Sequence, residues 1–486
     1  MEMANENPGA LIPEIALLVG AVIGLVTGLF VPRRRQWVVA VIAAASLLAA
    51  IAAAVVDLAR GDQRVFDDTY AVDTALGVAR IVVAAATLLV LALSVERIRG
   101  HRCKAEFSVL LLFASLGTIL LAGAADLMLV VVAYLLASLP LYTLAGFERT
   151  AAGTEAALKY FLLGAFLGVL MLFGFTLLYG ATGATGYTQL AEGLATAPAS
   201  LVAVGLVLGL AGLAFKLGAV PAQFWVPDVV DGAPSPVAAY VSTLPKIGAL
   251  IATTRLLVEA IPAERVDWPL LIAVLAAASM TLGNLAAFWQ TSVKRLLAYS
   301  TISQVGYLLM AVAVAERSDL ALPGLLFYAA AYAAMNLGAF AVVVELPRAR
   351  TLGDFAGLAR RHRGLAFVLL ICLLSLIGVP PLGGFLGKLA VFTAALDGGM
   401  AWLVILAAVN TVASVFYYLR WIGPAFLQAP AADDESEGSP QPAEDRLVAL
   451  GSWGLAAAYL AAAATIALGL AGGAVLAVVG TPSLGS

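Results

Sequence analysis

Long apolar runs, separated by short polar or glycine- and proline-rich connections, repeat from one end of the chain to the other. Each run approaches the roughly 20 residues that a helix needs to cross a hydrocarbon core. The pattern predicts fourteen spans. They centre near residues 21, 46, 86, 114, 137, 167, 210, 247, 278, 306 and 334, a broken pair around 372 and 391, then 413 and 463. Helices are expected, because the strands of a barrel would read as short alternating segments. Val220-Pro221 interrupts the seventh span, and Pro380-Pro381 with Gly383-Gly384 interrupts the twelfth. Discontinuous helices in corresponding places of two halves point to an internal repeat with an ion site at each break.

Composition and charge agree with a bilayer as solvent. The chain is 62% hydrophobic and 12% charged, against roughly 25% charged in soluble domains. The net charge of −3 says little, since distribution matters more than sum. Loops after spans 1, 3, 5, 9 and 11 carry Arg33–Arg35, Arg97, Arg99, Arg102, Lys104, Arg149, Lys294, Arg295, Arg348, Arg350, Arg360, Arg361 and Arg363. The alternate loops and adjoining helix ends carry only Arg60, Arg64, Arg80, Arg255, Arg265 and Arg317. The bias predicts that the first set faces the cytoplasm and that both termini lie outside. The acidic start is expected to flank a first span rather than to be a cleaved signal. Residues 428–445, rich in Asp, Glu, Ser and Pro, are predicted to be a disordered cytoplasmic loop.

Chemistry enters with three lysines. Lys216 and Lys246 sit inside apolar runs, and Lys388 follows the break in span 12. An ammonium in the hydrocarbon core costs at least ~2.5–3.5 kcal/mol, so it normally faces a polar interior and marks an ion path. Lysine also shifts its pKa readily when buried, which suits it to carrying protons. The bland alternative is that each snorkels to an interface. Spans 7 and 8 are joined by a short loop, so the ammoniums of Lys216 and Lys246 are expected to approach each other. Span 5 contains no acid. Asp228 and Asp231 read as capping or loop residues, and Glu345 ends span 11. Tyr299, Ser300, Thr301, Ser303 and Gln304 give span 10 a polar stripe that either relays protons or binds neighbouring helices, and Asn336 is open to the same two readings. His101 and His362 lie in arginine-rich loops, and Cys103 and Cys372 have no metal-ligand spacing. No nucleotide motif and no nucleophile set can be assembled, so redox chemistry is left to partners.

At these residues the chain resembles the antiporter-like membrane subunits of respiratory NADH–quinone oxidoreductase, the subunit N family most closely. The resemblance is carried by Leu11–Ile15, Glu155–Phe161, Phe215–Asp228 with Gly232–Pro236, Lys294–Ser303 with Gly306-Tyr307, Asn336–Phe340, and Asp354–Leu358 through Gly378–Pro381 to Gly384–Lys388. It implies one all-α polytopic membrane domain over 1–486 with two inverted five-helix repeats, over 110–260 and 265–427. It also implies proton-path roles for Lys216, Lys246 and Lys388. No cofactor is implied for this chain; quinone, FMN and iron–sulfur clusters belong to partner subunits. The implied partners are other membrane subunits and the lipid bilayer, with no nucleic acid, in a bacterial plasma membrane. Two positions depart from the pattern. Leu135 stands where the family has a glutamate that partners the lysine at Lys216, and Gln304 stands where subunit N commonly has histidine. Two other readings stay open: a subunit of a multisubunit cation/proton antiporter, and a structural membrane-arm subunit.

Overall fold

The computed structural model describes residues 7–428 and 451–480. The predicted acidic loop 428–445 therefore lies outside the described residues, apart from Gln428. Among the described residues thirteen helices are long and apolar enough to cross a membrane: Pro8–Phe30, Arg33–Leu58, Thr74–Ile98, Lys104–Gly123, Leu127–Ala145, Ala151–Thr182, Ala199–Leu217, Ser235–Ala260, Trp268–Ala287, Val293–Ala313, Ala321–Glu345, Ala401–Leu427 and Ser452–Leu470. The pair Arg363–Ile377 and Gly383–Asp397 supplies the broken twelfth span, which completes fourteen. Spans 8, 10 and 11 are enclosed by their neighbours, whereas spans 1, 2 and 6 turn most side chains outward. The polar stripe on span 10 thus lies at the centre of the bundle.

Local chemistry sets the span ends. Asp126 caps span 5 by accepting from the Met128 and Leu129 amides, Asp73 caps span 3 through Leu76, and Ser292 caps span 10 through Arg295. The first half of each broken span ends at a left-handed glycine, Gly218 (φ 73°) and Gly378 (φ 98°), a conformation any side chain would strain. Each is followed by a cis prolyl bond, Val220-Pro221 and Pro380-Pro381. The short helix Trp225–Gly232 then completes span 7, and Gly383–Asp397 completes span 12.

The repeat is also written in the backbone. The Leu127 amide donates to Thr185 O (3.0 Å) and the Tyr187 amide to Ala125 O (3.1 Å). In the second half the Val293 amide donates to Arg350 O (3.0 Å) and the Leu352 amide to Thr291 O (3.0 Å). In both halves the start of the repeat's second span is stitched to the connection after its third. The first stitch lies between spans 4 and 5, the second between spans 9 and 10. Five intervening spans put the two on opposite faces, so the halves are inverted.

On the face away from Arg33–Arg35, a hairpin pairs Gln63–Val65 with Tyr70–Val72. Beneath it lie two arginines from the ends of spans 3 and 8. Arg80 is fully buried and grips Glu14 through Nε and Nη2 (both 2.8 Å), Asp57 (3.3 Å) and the Ala10 carbonyl (2.8 Å). Tyr70 also donates to Glu14 (2.7 Å). Arg255, equally buried, pairs with Asp73 (2.7 Å) and Glu259 (2.8 Å), and Arg64 joins Glu259 (2.7 Å). These clusters fasten spans 1 to 3 and the hairpin to the repeats.

Candidate functional site: three buried lysines at the helix breaks

All three lysines turn inward and none snorkels: Lys216 and Lys246 are 0% exposed and Lys388 4%. Among the described residues none has a carboxylate within ion-pair distance. Backbone carbonyls and aromatic faces hold them instead. Lys246 donates to Lys216 O (3.4 Å), at the C-terminal end of the first half of span 7, and to Val241 O (2.9 Å). Its ammonium stands 4.7 Å from the Trp225 ring centroid. Lys388 donates to Ile377 O (2.9 Å), the last residue of the first half of span 12, and stands 4.3 Å from the Tyr307 ring. At both breaks, then, an ammonium takes up the carbonyls left unpaired where the helix stops, which is also the negative end of its dipole. Lys216 itself donates to Ser138 Oγ and lies 4.8 Å from the Tyr134 ring.

Hydroxyls and amides lie between the lysines. The Tyr332 hydroxyl sits 2.8 Å from Ser242 O and 3.0 Å from Thr301 Oγ1, joining spans 8, 10 and 11. Asn336 donates to Thr243 Oγ1 (2.7 Å). Gln304 donates to Leu376 O (3.0 Å), one residue before the carbonyl that Lys388 uses, and accepts from Tyr328. Ser303 and Tyr417 both donate to Asn284 Oδ1 (3.0 Å each), and Thr411 reaches the Tyr307 hydroxyl (3.2 Å). The stripe on span 10 thus binds neighbouring helices through side-chain hydrogen bonds, and its hydroxyls and amide lie between the two breaks.

Other expected residues land elsewhere. Leu135 is 46% exposed and points out of the bundle, while Tyr134 and Ser138 of the same helix meet Lys216. The position of the missing glutamate thus flanks the lysine's contact face rather than occupying it. Glu345 accepts from the Gly451 amide (2.9 Å) at the start of span 14. His101 packs on Phe147 with ring centroids 4.5 Å apart. Sequence reasoning missed Ser138; its spacing of four from Tyr134 on the buried face of span 5 was the available signal.

A cavity of about 680 Å³ opens on the arginine-rich face between the two halves, lined by Glu148, Lys159, Asp228, Lys294, Arg295 and their neighbours. Here Asp228 bridges Lys159 (2.7 Å) and Arg295 (3.0 Å). A second cavity, about 590 Å³, opens on the opposite face around Glu316, Asp319 and Asp397, the last ending the helix that bears Lys388.

Residues 124–414 match the family model described as NADH:quinone oxidoreductase/Mrp antiporter, TM. The chain is 52% identical over 472 residues to NADH-quinone oxidoreductase subunit N 1 of Streptomyces griseus, covering 97% of this chain and 98% of that one. It is 47% identical to NADH-quinone oxidoreductase subunit N of a Mycobacterium species, covering 96% and 97%. Among solved structures it is similar to a chain of respiratory complex I from Thermus thermophilus (34% identity, TM-score 0.80, covering 96% of this chain and 98% of that one). A chain of the Mrp complex from a Dietzia species shares the fold (24% identity, TM-score 0.83, covering 97% and 96%).

Proposed function

The chain belongs to the NADH-quinone oxidoreductase subunit N family, and from that membership we propose that it is a membrane-arm subunit of a proton-translocating NADH–quinone oxidoreductase. Protons move along the axis Lys216, Lys246, Lys388, while electron transfer to quinone, with FMN and iron–sulfur clusters, occurs in partner subunits. The carrying observation is the placement of an ammonium on the terminal carbonyls of both broken helices, with hydroxyls and amides between them. Carbonyl dipoles and ring faces stabilise a buried ammonium without a full counter-charge, so the proton remains transferable. Tyr332, Thr301 and Gln304 order the space in which water carries the proton from one lysine to the next. The cavity at Asp228 and Lys159 serves as the entry from the arginine-rich, cytoplasmic face, and the one at Asp397 as the exit. Both termini lie outside, in a bacterial plasma membrane.

The test is affinity purification of the tagged full chain from its native membranes. Co-purification with flavin- and iron–sulfur-containing subunits and NADH:quinone activity supports the reading. Recovery with antiporter subunits only, and cation/proton exchange without NADH oxidation, would replace it with the antiporter alternative.

A further inference from the structure

The short helix Trp225–Gly232 is held at its two ends by different halves of the molecule. At its start, the Trp225 ring faces the Lys246 ammonium, its indole N–H donates to Phe215 O (2.9 Å), and Tyr160 stacks on it with centroids 4.4 Å apart. At its end, the charges come from the first turn of span 10. Lys294 donates to Asp231 O (2.7 Å) and Ala233 O (2.6 Å), Ser292 donates to Asp231 Oδ1 (2.9 Å), and Arg295 pairs with Asp228 (3.0 Å). A cation on terminal helix carbonyls opposes the negative end of the dipole, and charged donors make the stronger hydrogen bonds. The clamp is thus built from the second repeat and grips an element of the first.

Span 10 continues to the other lysine. Tyr307, whose ring faces Lys388, lies 13 residues beyond Lys294, about 20 Å along one unbroken helix. Two lysine sites are therefore joined by two solid pieces, the short helix and span 10, meeting at Lys294 and Arg295. The attraction of a ring face for Lys246 exists only while that amine carries its proton. Losing the proton removes this contact, one of three at that end of the short helix, and the clamp passes the resulting shift to span 10. A differential contact of this kind is what coupling between sites requires.

We infer that Lys294 and Arg295 are positioning residues that, through the short helix Trp225–Gly232, couple the proton occupancy of Lys246 to the setting of Lys388. The inference rests on the lysine-axis reading above. It concerns a clamp that touches none of the three lysines.

The whole complex is purified with Lys294→Met, Lys246→Met or both, reconstituted in liposomes, and assayed for protons pumped per NADH oxidised. Hydrogen–deuterium exchange of residues 225–236 is followed in parallel. Lys294→Met keeps the apolar stem but loses both charged bonds, so exchange there should quicken roughly tenfold or more. Pumping should fall, the double variant should pump no worse than Lys246→Met alone, and Lys294→Arg, which retains two donors, should recover both readouts. Quickened exchange with full pumping, or additive losses in the double variant, would overturn the coupling. So would unchanged exchange. If Lys294→Met fails to assemble, Arg295→Gln removes the charged bond to Asp228 while Asp228 keeps Lys159 and Lys294 keeps its two carbonyls, so both readouts should move in the same direction by less. Lys388→Ala in the same vesicles separates the failures. If it pumps normally, the lysine axis itself is wrong; if it is silent while the clamp variants pump normally, only the coupling falls.

Discussion

Replacing Arg80 with methionine should destabilise the subunit through one identifiable group. Arg80 donates two bonds to Glu14, one to Asp57 and one to Ala10 O, all from a fully buried position. Asp57 keeps Arg60 (3.1 Å), which is half exposed. Among the described residues Glu14 keeps only the Tyr70 hydroxyl, so the loss concentrates on one buried carboxylate. Removing one partner of a buried ion pair costs ~3–5 kcal/mol, whereas replacing both by apolar groups is often close to neutral. Arg80→Met should therefore lower the amount of assembled complex and its thermal midpoint, and adding Glu14→Leu should restore much of both. Native gels and thermal inactivation of the purified complex read these quantities. An Arg80→Met complex as stable as wild type, or a double variant worse than the single, would refute the buried-pair reasoning.

Tyr332→Phe removes one hydroxyl between Ser242 and Thr301, worth ~0.5–1.5 kcal/mol of stability, so assembly should survive while proton pumping slows. An unchanged pumping rate would show that the route bypasses this hydroxyl. Gly384→Ala drives a Cβ into the Ser375 carbonyl oxygen, so the break in span 12 must shift, and pumping should be lost even where the complex assembles. Wild-type pumping by that variant would show that the break tolerates displacement.

Apolar run length located the spans, and proline with glycine located both breaks, because a bilayer demands long apolar helices and those residues end them. The three lysines were legible for the same reason, an isolated cation in an apolar run being costly enough to signal a role. Their partners were not. Lys246 and Lys388 rest on the backbone carbonyls of Lys216 and Ile377, and carbonyls are present at every residue, so composition does not mark them. Arg80 and Arg255 count among the loops and adjoining helix ends because Glu14 and Asp73 are far away in the chain and are brought in only by tertiary packing; only Glu259, four residues beyond Arg255, is a local partner. The resemblance located the missing glutamate at Leu135, yet helical phase, one residue from Tyr134, decides that this side chain faces outward.

The most direct measurement is the ratio of protons pumped to NADH oxidised by liposomes holding the complex with Lys246→Met, whose native ammonium sits on the Lys216 carbonyl beside Trp225. The lysine-axis account predicts an assembled complex that still oxidises NADH when uncoupled but pumps with a reduced ratio. A ratio equal to wild type would contradict it.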